Sequence, residues 1–118
     1  MEKQKASVEK VMATSEEIYS PAFSLERLSE LTGIRKRLLS TVLNEGFGMN
    51  FYALLNRYRI RKAIERLTVE RTFSRHTLES VGMSVGYRSR TTFINAFRHE
   101  TGMTPSQYIS TVILRAGK

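Results

Sequence analysis

Residues Gly86 to Pro105, GYRSRTTFINAFRHETGMTP, decide how the rest of the chain is read. Gly86 suits the positive φ of a tight turn and Ser89 is a good N-cap, so one helix is expected between two turns. Phe93, Ala96 and Phe97 share one face of it, while Arg90, Thr91, Ile94 and Asn95 fall largely on another. Gly102 supplies the C-terminal stop. Thr104, Pro105 and Gln107 then fit the N-cap, N1 and N3 positions of a capping box that opens a further helix. The helix therefore has an aromatic face for a core and an outward face of Arg, Thr and Asn, side chains suited to phosphates and base edges.

Upstream, Val8, Val11, Met12, Ser15, Ile18 and Tyr19 recur at helical spacing and predict a first helix over about 4–19, stopped by Ser20-Pro21. Ser24 caps a second helix with Leu25, Leu28 and Leu31 inward, broken by Gly33. A third is expected over 35–45, with Leu38, Leu39, Val42 and Leu43 apolar and Arg35, Lys36, Arg37, Ser40 and Thr41 projecting from its first half. Helix, glycine turn and helix with an exposed basic start make a candidate helix-turn-helix. Asn50 opens the longest helix, 51–68, which is apolar on a broad front (Phe51, Leu54, Leu55, Tyr58, Ile60, Ala63, Ile64, Leu67). A polar loop at 69–76 with Phe73 as anchor, a fifth helix capped by Thr77 with Leu78, Val81 and Val85 inward, and a last helix at 105–114 with Tyr108, Ile109, Val112 and Ile113 apolar complete the chain. The expected fold is all-α, about seven helices.

The two halves repeat. At a shift of 53, Ser24-Leu25-Glu26 falls on Thr77-Leu78-Glu79, Leu28 on Val81 and Gly33 on Gly86. Beyond the turn the shift is 54, bringing Leu39 onto Phe93, Leu43 onto Phe97 and Gly48-Met49 onto Gly102-Met103. Punctuation recurs along with core positions, so the match exceeds chance agreement of a few leucines. Lys36 then corresponds to Arg90, Arg37 to Thr91 and Thr41 to Asn95. The organisation read from this is a covering helix (1–21), a first helix-turn-helix unit (22–48), a linker helix (49–68), a second unit (69–103) and a C-terminal helix and tail (104–118), together one domain. A linker of this length spans ~27 Å at 1.5 Å per residue. With helix thicknesses added, the order of magnitude suits two recognition helices in successive major grooves, ~34 Å apart.

Charge points the same way. Residues 1–33 hold six Glu against four Lys or Arg, whereas residues 34–118 hold fifteen Lys or Arg against five Glu, and the whole chain carries +8. Such segregation is expected where one surface meets a polyanion. With no Cys and no Asp, disulfides, thiol catalysis, Cys-based zinc sites and a Ser-His-Asp triad are excluded. His76 and His99 lack ligand spacing, and Gly46 and Gly48 end a helix and form no phosphate-cradling loop, so neither a metal, a cofactor nor an enzyme is expected. No apolar run approaches the ~18 residues of a membrane span. A cytoplasmic setting and no membrane association are expected.

These residues resemble the DNA-binding domain of AraC/XylS-type bacterial transcription regulators over about residues 22–110. Gly86-Tyr87, Ser89, Phe93, Ala96-Phe97-Arg98, Gly102-Met103-Thr104-Pro105 and Tyr108 carry the resemblance, with Asn50-Phe51-Tyr52 through Asn56-Arg57-Tyr58-Arg59-Ile60 and Ala63 in the linker. It implies a seven-helix domain that binds double-stranded promoter DNA sequence-specifically, usually to activate transcription. RNA polymerase is a further partner it suggests, as is a separate effector-sensing or dimerisation domain in a longer chain. The family's DNA-binding positions fall on Arg35, Lys36, Arg37, Ser40 and Thr41 in the first unit and on Ser89, Arg90, Thr91 and Asn95 in the second, with Arg88 just before. Thr41 and Asn95 stand where many members carry Arg. Gly82 stands where Ala is usual, which implies a fifth helix weaker by ~1 kcal/mol.

Each residue also has a plainer reading. Arg35, Lys36 and Arg37 open a helix, where the dipole disfavours cations by a few tenths of a kcal/mol, so function explains them better than stability. Asn95 could pair with adenine or be an ordinary surface residue. Ser89 could be only a cap. Arg57, Arg59, Arg61, Lys62 and Arg66 read as a solvated face with one or two reaching phosphate, with a structural ion pair as the alternative for Arg59, and the five Met as fillers. A non-specific basic binder of nucleic acid and a protein-interaction module are the alternative functions. The aromatics lie on apolar faces, which disfavours single-stranded RNA. The chain shows no coiled-coil heptads, in keeping with a monomer.

Overall fold

The computed structural model describes the backbone of residues 1–70 and 75–116, and the side chains of 1–69 and 77–115. Among the described residues all regular structure is helical: α1 (Glu2–Thr14), a 3-10 turn (Glu16–Tyr19), α2 (Leu25–Thr32), α3 (Lys36–Thr41, continued by a π-helical stretch Val42–Phe47), α4 (Phe51–Glu70), α5 (Arg75–Ser84), α6 (Arg90–Thr101) and α7 (Pro105–Tyr108, continued by the π-helical Ile109–Ile113 and by Leu114–Ala116). This is the all-α, seven-helix architecture expected. The chain divides into two compact units, Met1–Tyr58 and Arg59–Lys118, with the division inside α4.

Local chemistry sets the boundaries. Ser24 Oγ accepts from Arg27 N–H, Asn50 Oδ1 from Ala53 N–H and Ser89 Oγ from Thr92 N–H, each satisfying an otherwise orphaned donor of the first turn. Thr104 and Gln107 form the reciprocal capping box with Pro105 at N1. Gly33 and Gly102 end α2 and α6 in the left-handed region, at φ 73° and 79°.

In the first unit α1, α2 and α3 enclose a core of Val8, Met12, Ile18, Phe23, Leu28, Ile34, Leu39, Val42 and Leu43, joined by Phe51, Leu54 and Leu55 from the start of α4. Phe23 and Phe51 meet at 6.0 Å between ring centres. The second unit buries Ile60, Ala63, Leu67, Val81, Val85, Tyr87, Phe93, Phe97, Ile109 and Ile113. Its rings form a run: Tyr87 to Phe93 at 5.6 Å, Phe93 to Phe97 at 5.9 Å and Phe97 to Tyr108 at 5.4 Å.

Several expectations give way to tertiary detail. The first helix stops at Thr14, because Ser15 is extended and its hydroxyl accepts from Glu17 N–H, a local bond that competes with the helix. Leu38 is 42% exposed. Leu39, Val42 and Leu43 already supply the i, i+3, i+4 face, and its neighbour Leu38 points elsewhere. Val112 is likewise exposed, since in the wider π-helical turn Ile109 and Ile113 are the pair that face inward. Met12 is a core filler, but Met1 and Met83 are exposed. In the stretch expected as a loop, Val69 and Glu70 still belong to α4, and Arg75 and His76 already belong to α5, so Thr77 lies inside the helix it was expected to cap. Phe73 lies outside the described residues.

Gly82 reverses its expected meaning. A Cβ built there would lie 2.7 Å from Phe93 Cδ2 and 2.8 Å from its Cγ. Phe93 is buried and cannot yield, so the glycine is what lets α5 and α6 approach this closely. Alanine's helix-propensity gain of ~1 kcal/mol is then opposed by an overpacking cost of typically ~1–3 kcal/mol. Gly82→Ala is expected to lower, not raise, the midpoint of chemical unfolding; a raised midpoint would show that Phe93 does not hold its place.

Candidate nucleic-acid interface

In the first unit α2 and α3 are joined by a turn tied by its own side chains. Ser29 Oγ donates to Ile34 C=O, Thr32 Oγ1 accepts from Ile34 N–H at 3.3 Å, and Ile34 itself is buried beneath. From this turn α3 presents Arg35, Lys36, Arg37 and Thr41 exposed and Ser40 half-buried. Arg35 is the N-cap residue and makes no side-chain capping bond, since a guanidinium has no acceptor to offer the first-turn N–H groups. Lys36 Nζ lies 3.1 Å from Glu26 Oε1 of α2. Both ends of that pair are well exposed, so it holds Lys36 only weakly. Thr41 Oγ1 is 3.4 Å from Arg37 C=O, one turn back.

In the second unit α5 and α6 are joined through Gly86, at φ 110°, and Tyr87, which is buried as Ile34 is in the first. Arg88, Ser89, Arg90, Thr91 and Asn95 are all exposed. Ser89 Oγ is engaged as the N-cap and lies 2.7 Å from Thr92 Oγ1. Phe93, Ala96 and Phe97 turn inward, leaving Thr91 and Asn95 on the opposite side of the helix. The same outward faces carry Asn44 and Arg98, both exposed, which the sequence reading left aside. The spacing Arg37, Thr41, Asn44 and Thr91, Asn95, Arg98, i, i+4, i+7 in each, was the available signal.

The basic residues of α4 separate. Arg57 and Arg61 are exposed, Lys62 Nζ is 3.5 Å from Glu65 Oε2, and Arg66 Nη1 donates to Ser84 C=O at 3.1 Å. Arg59 is buried, its Cζ 5.5 Å from the centre of the Tyr87 ring. Burial pushes its guanidinium below the usual arginine range, opposed by Tyr87. Burial likewise pushes the Tyr87 phenol far up, with the Arg59 cation opposing and Glu100 adding to the shift. In the first unit, Arg27 Nε donates to Glu17 Oε1 at 2.7 Å and holds that carboxyl below its ordinary value. Among the described residues no group of three or more His, Cys, Asp or Glu could hold a metal ion, and no helix is long and apolar enough to cross a membrane. The His76 side chain lies outside the described residues.

Two turns, each followed by a helix with an exposed polar face, match a known pattern. Residues 28–111 match the family model described as a helix-turn-helix domain. The chain belongs to the AraC-type helix-turn-helix family. An uncharacterised helix-turn-helix-type transcriptional regulator of Staphylococcus aureus strain COL is 33% identical over 85 residues, 72% of this chain but 11% of that protein. The chain thus spans about a ninth of the length of the curated relatives it matches. Among solved structures, a DNA-binding transcriptional dual regulator from Escherichia coli K-12 is similar at 28% identity and a TM-score of 0.72, over 91% of this chain and 95% of that one. The C-terminal domain of AraT, a response regulator from Geobacillus stearothermophilus, shares the fold at 23% identity and a TM-score of 0.74, over 96% of this chain and 88% of that one.

A group whose folded pKa is raised stabilises fully below its unfolded pKa and loses that contribution above it. For Tyr87 the loss begins near the unfolded phenol value of about 10. Thermal unfolding followed from about pH 9 to pH 11 is expected to show falling stability with a shallower fall in Tyr87→Phe; identical slopes would mean that the phenol is not buried in the folded chain.

Proposed function

We propose that this AraC-type domain binds double-stranded promoter DNA sequence-specifically, with α3 and α6 each entering a major groove. The single observation that carries the reading is the duplicated outward face: Lys36, Arg37 and Thr41 on α3, and Arg90, Thr91 and Asn95 on α6, exposed at equivalent positions after equivalent turns. Arg35 and Arg88 stand just ahead of those helices, where phosphates flank a groove-bound helix. Ser40 contributes from the edge of its face, and Ser89 combines the cap with a contact to the backbone. Arg37 and Arg90 supply guanine-type donors, while Asn95 offers the bidentate geometry that suits adenine. Binding, not catalysis, is the role. The groove beside α6, about 710 Å³, is lined mainly by Leu78, Phe93, Ile94, Pro105 and Ile109 with Glu79 as its carboxylate.

In the cell the domain works on bacterial DNA in the cytoplasm. Effector sensing, dimerisation and contact with RNA polymerase then fall to surfaces or chain segments other than α3 and α6, in keeping with the greater length of its curated relatives.

Selection of sites from random duplex DNA, repeated at two salt concentrations, tests the reading. Two short half-motifs centred about ten base pairs apart are expected. Arg37→Ala and Arg90→Ala are each expected to lose ~1–3 kcal/mol of binding on the selected site and to relax base preference in one half-motif only. No enrichment, with affinity falling steeply in salt on every sequence, would leave a non-specific basic binder.

A further inference from the structure

The two turns are fixed by different means. In the first, Ser29 and Thr32 tie the turn from within α2, and the space where a Cβ of Gly33 would sit meets nothing within 4 Å. In the second, that space is occupied by a distant residue: a Cβ on Gly86 would lie 2.7 Å from Arg59 Cζ, 2.7 Å from Nε and 2.8 Å from Nη2. Gly86 is required by its φ of 110°, and the space beside it is taken by a guanidinium.

We propose that Arg59 is a positioning residue for DNA reading, the wedge that fixes the α5–α6 turn and through it the rotation of α6. This rests on the reading of α6 as a recognition helix. The guanidinium lies over the Tyr87 ring at cation–π distance, the Tyr87 ring touches Phe93, and Phe93 is the inward residue of α6 between Thr91 and Asn95. Phe93 also packs closely on α5 at Gly82. A helix whose inward ring is braced by both Tyr87 and α5 resists rolling, so the directions of Thr91 and Asn95 follow from the same contacts. Arg66, donating to Ser84 C=O, secures the end of α5 just before the turn. Only a planar, stackable cation fits between a backbone and a ring in this way; a lysine ammonium keeps the charge and loses the shape.

Arg59→Lys and Arg59→Met in the full chain test this with two readouts. In hydrogen exchange, amides 84–93 are expected to exchange faster in both variants while amides 28–41 stay as in wild type. For DNA, the site selected by wild type is compared with the same site scrambled in the half-motif whose preference Arg90→Ala removes. Arg59→Lys is expected to lose about tenfold in affinity on the intact site, the scale of one base contact, and nothing on the scrambled one. Equal losses on both sites, no loss on the intact site, or unchanged exchange at 84–93 would each overturn the proposal. Should wild type bind both sites alike, the recognition role of α6 itself fails, and the exchange readout alone then upholds or overturns Arg59's hold on the turn.

Discussion

The packing of Phe93 is the constraint on which the second unit depends. It packs against α5 at Gly82 and against the ring of Tyr87, and it passes contact on to Phe97 and through it to Tyr108. Close-packed interiors transmit small displacements because they leave no slack. A residue larger than glycine at position 82, or a differently placed Tyr87, therefore changes the seat of α6 itself. The outward residues of that helix inherit their direction from this inward one.

The first unit achieves the same presentation by shorter-range means. Hydroxyls of Ser29 and Thr32 secure Ile34, and Leu39, Val42 and Leu43 seat α3 on a core shared with α1 and α2. Its turn is a property of α2 and the residues next to it. The second turn recruits Arg59 and Arg66 from α4, the helix before α5. The duplication visible in the sequence is thus conserved in its punctuation and outward faces but not in the way its turns are braced. Burying a guanidinium against a ring and a glycine is costly in desolvation, and the cation–π contact with Tyr87 works against that cost.

Much of the fold and of the candidate interface was legible beforehand because it is written in short-range chemistry. Ser24, Asn50, Ser89 and the Thr104–Gln107 box satisfy the orphan donors of the helices they begin, and Gly33 and Gly102 take the left-handed turn that ends others; such effects reach only three or four residues. The i, i+3, i+4 spacing likewise identified Phe93, Ala96 and Phe97 as inward and left Arg90, Thr91 and Asn95 outward. The sequence by itself therefore determined the helices, their order, the repeat and the polar faces.

Tertiary contact decided the remainder. That Gly82 is a requirement of packing and not a weakness, and that Arg59 is a buried wedge and not a surface cation, both depend on residues distant in sequence. Helical periodicity assigns a residue to a face but does not say how near the next helix comes. That distance fixes whether glycine is tolerated or required, and whether an arginine meets water or a ring.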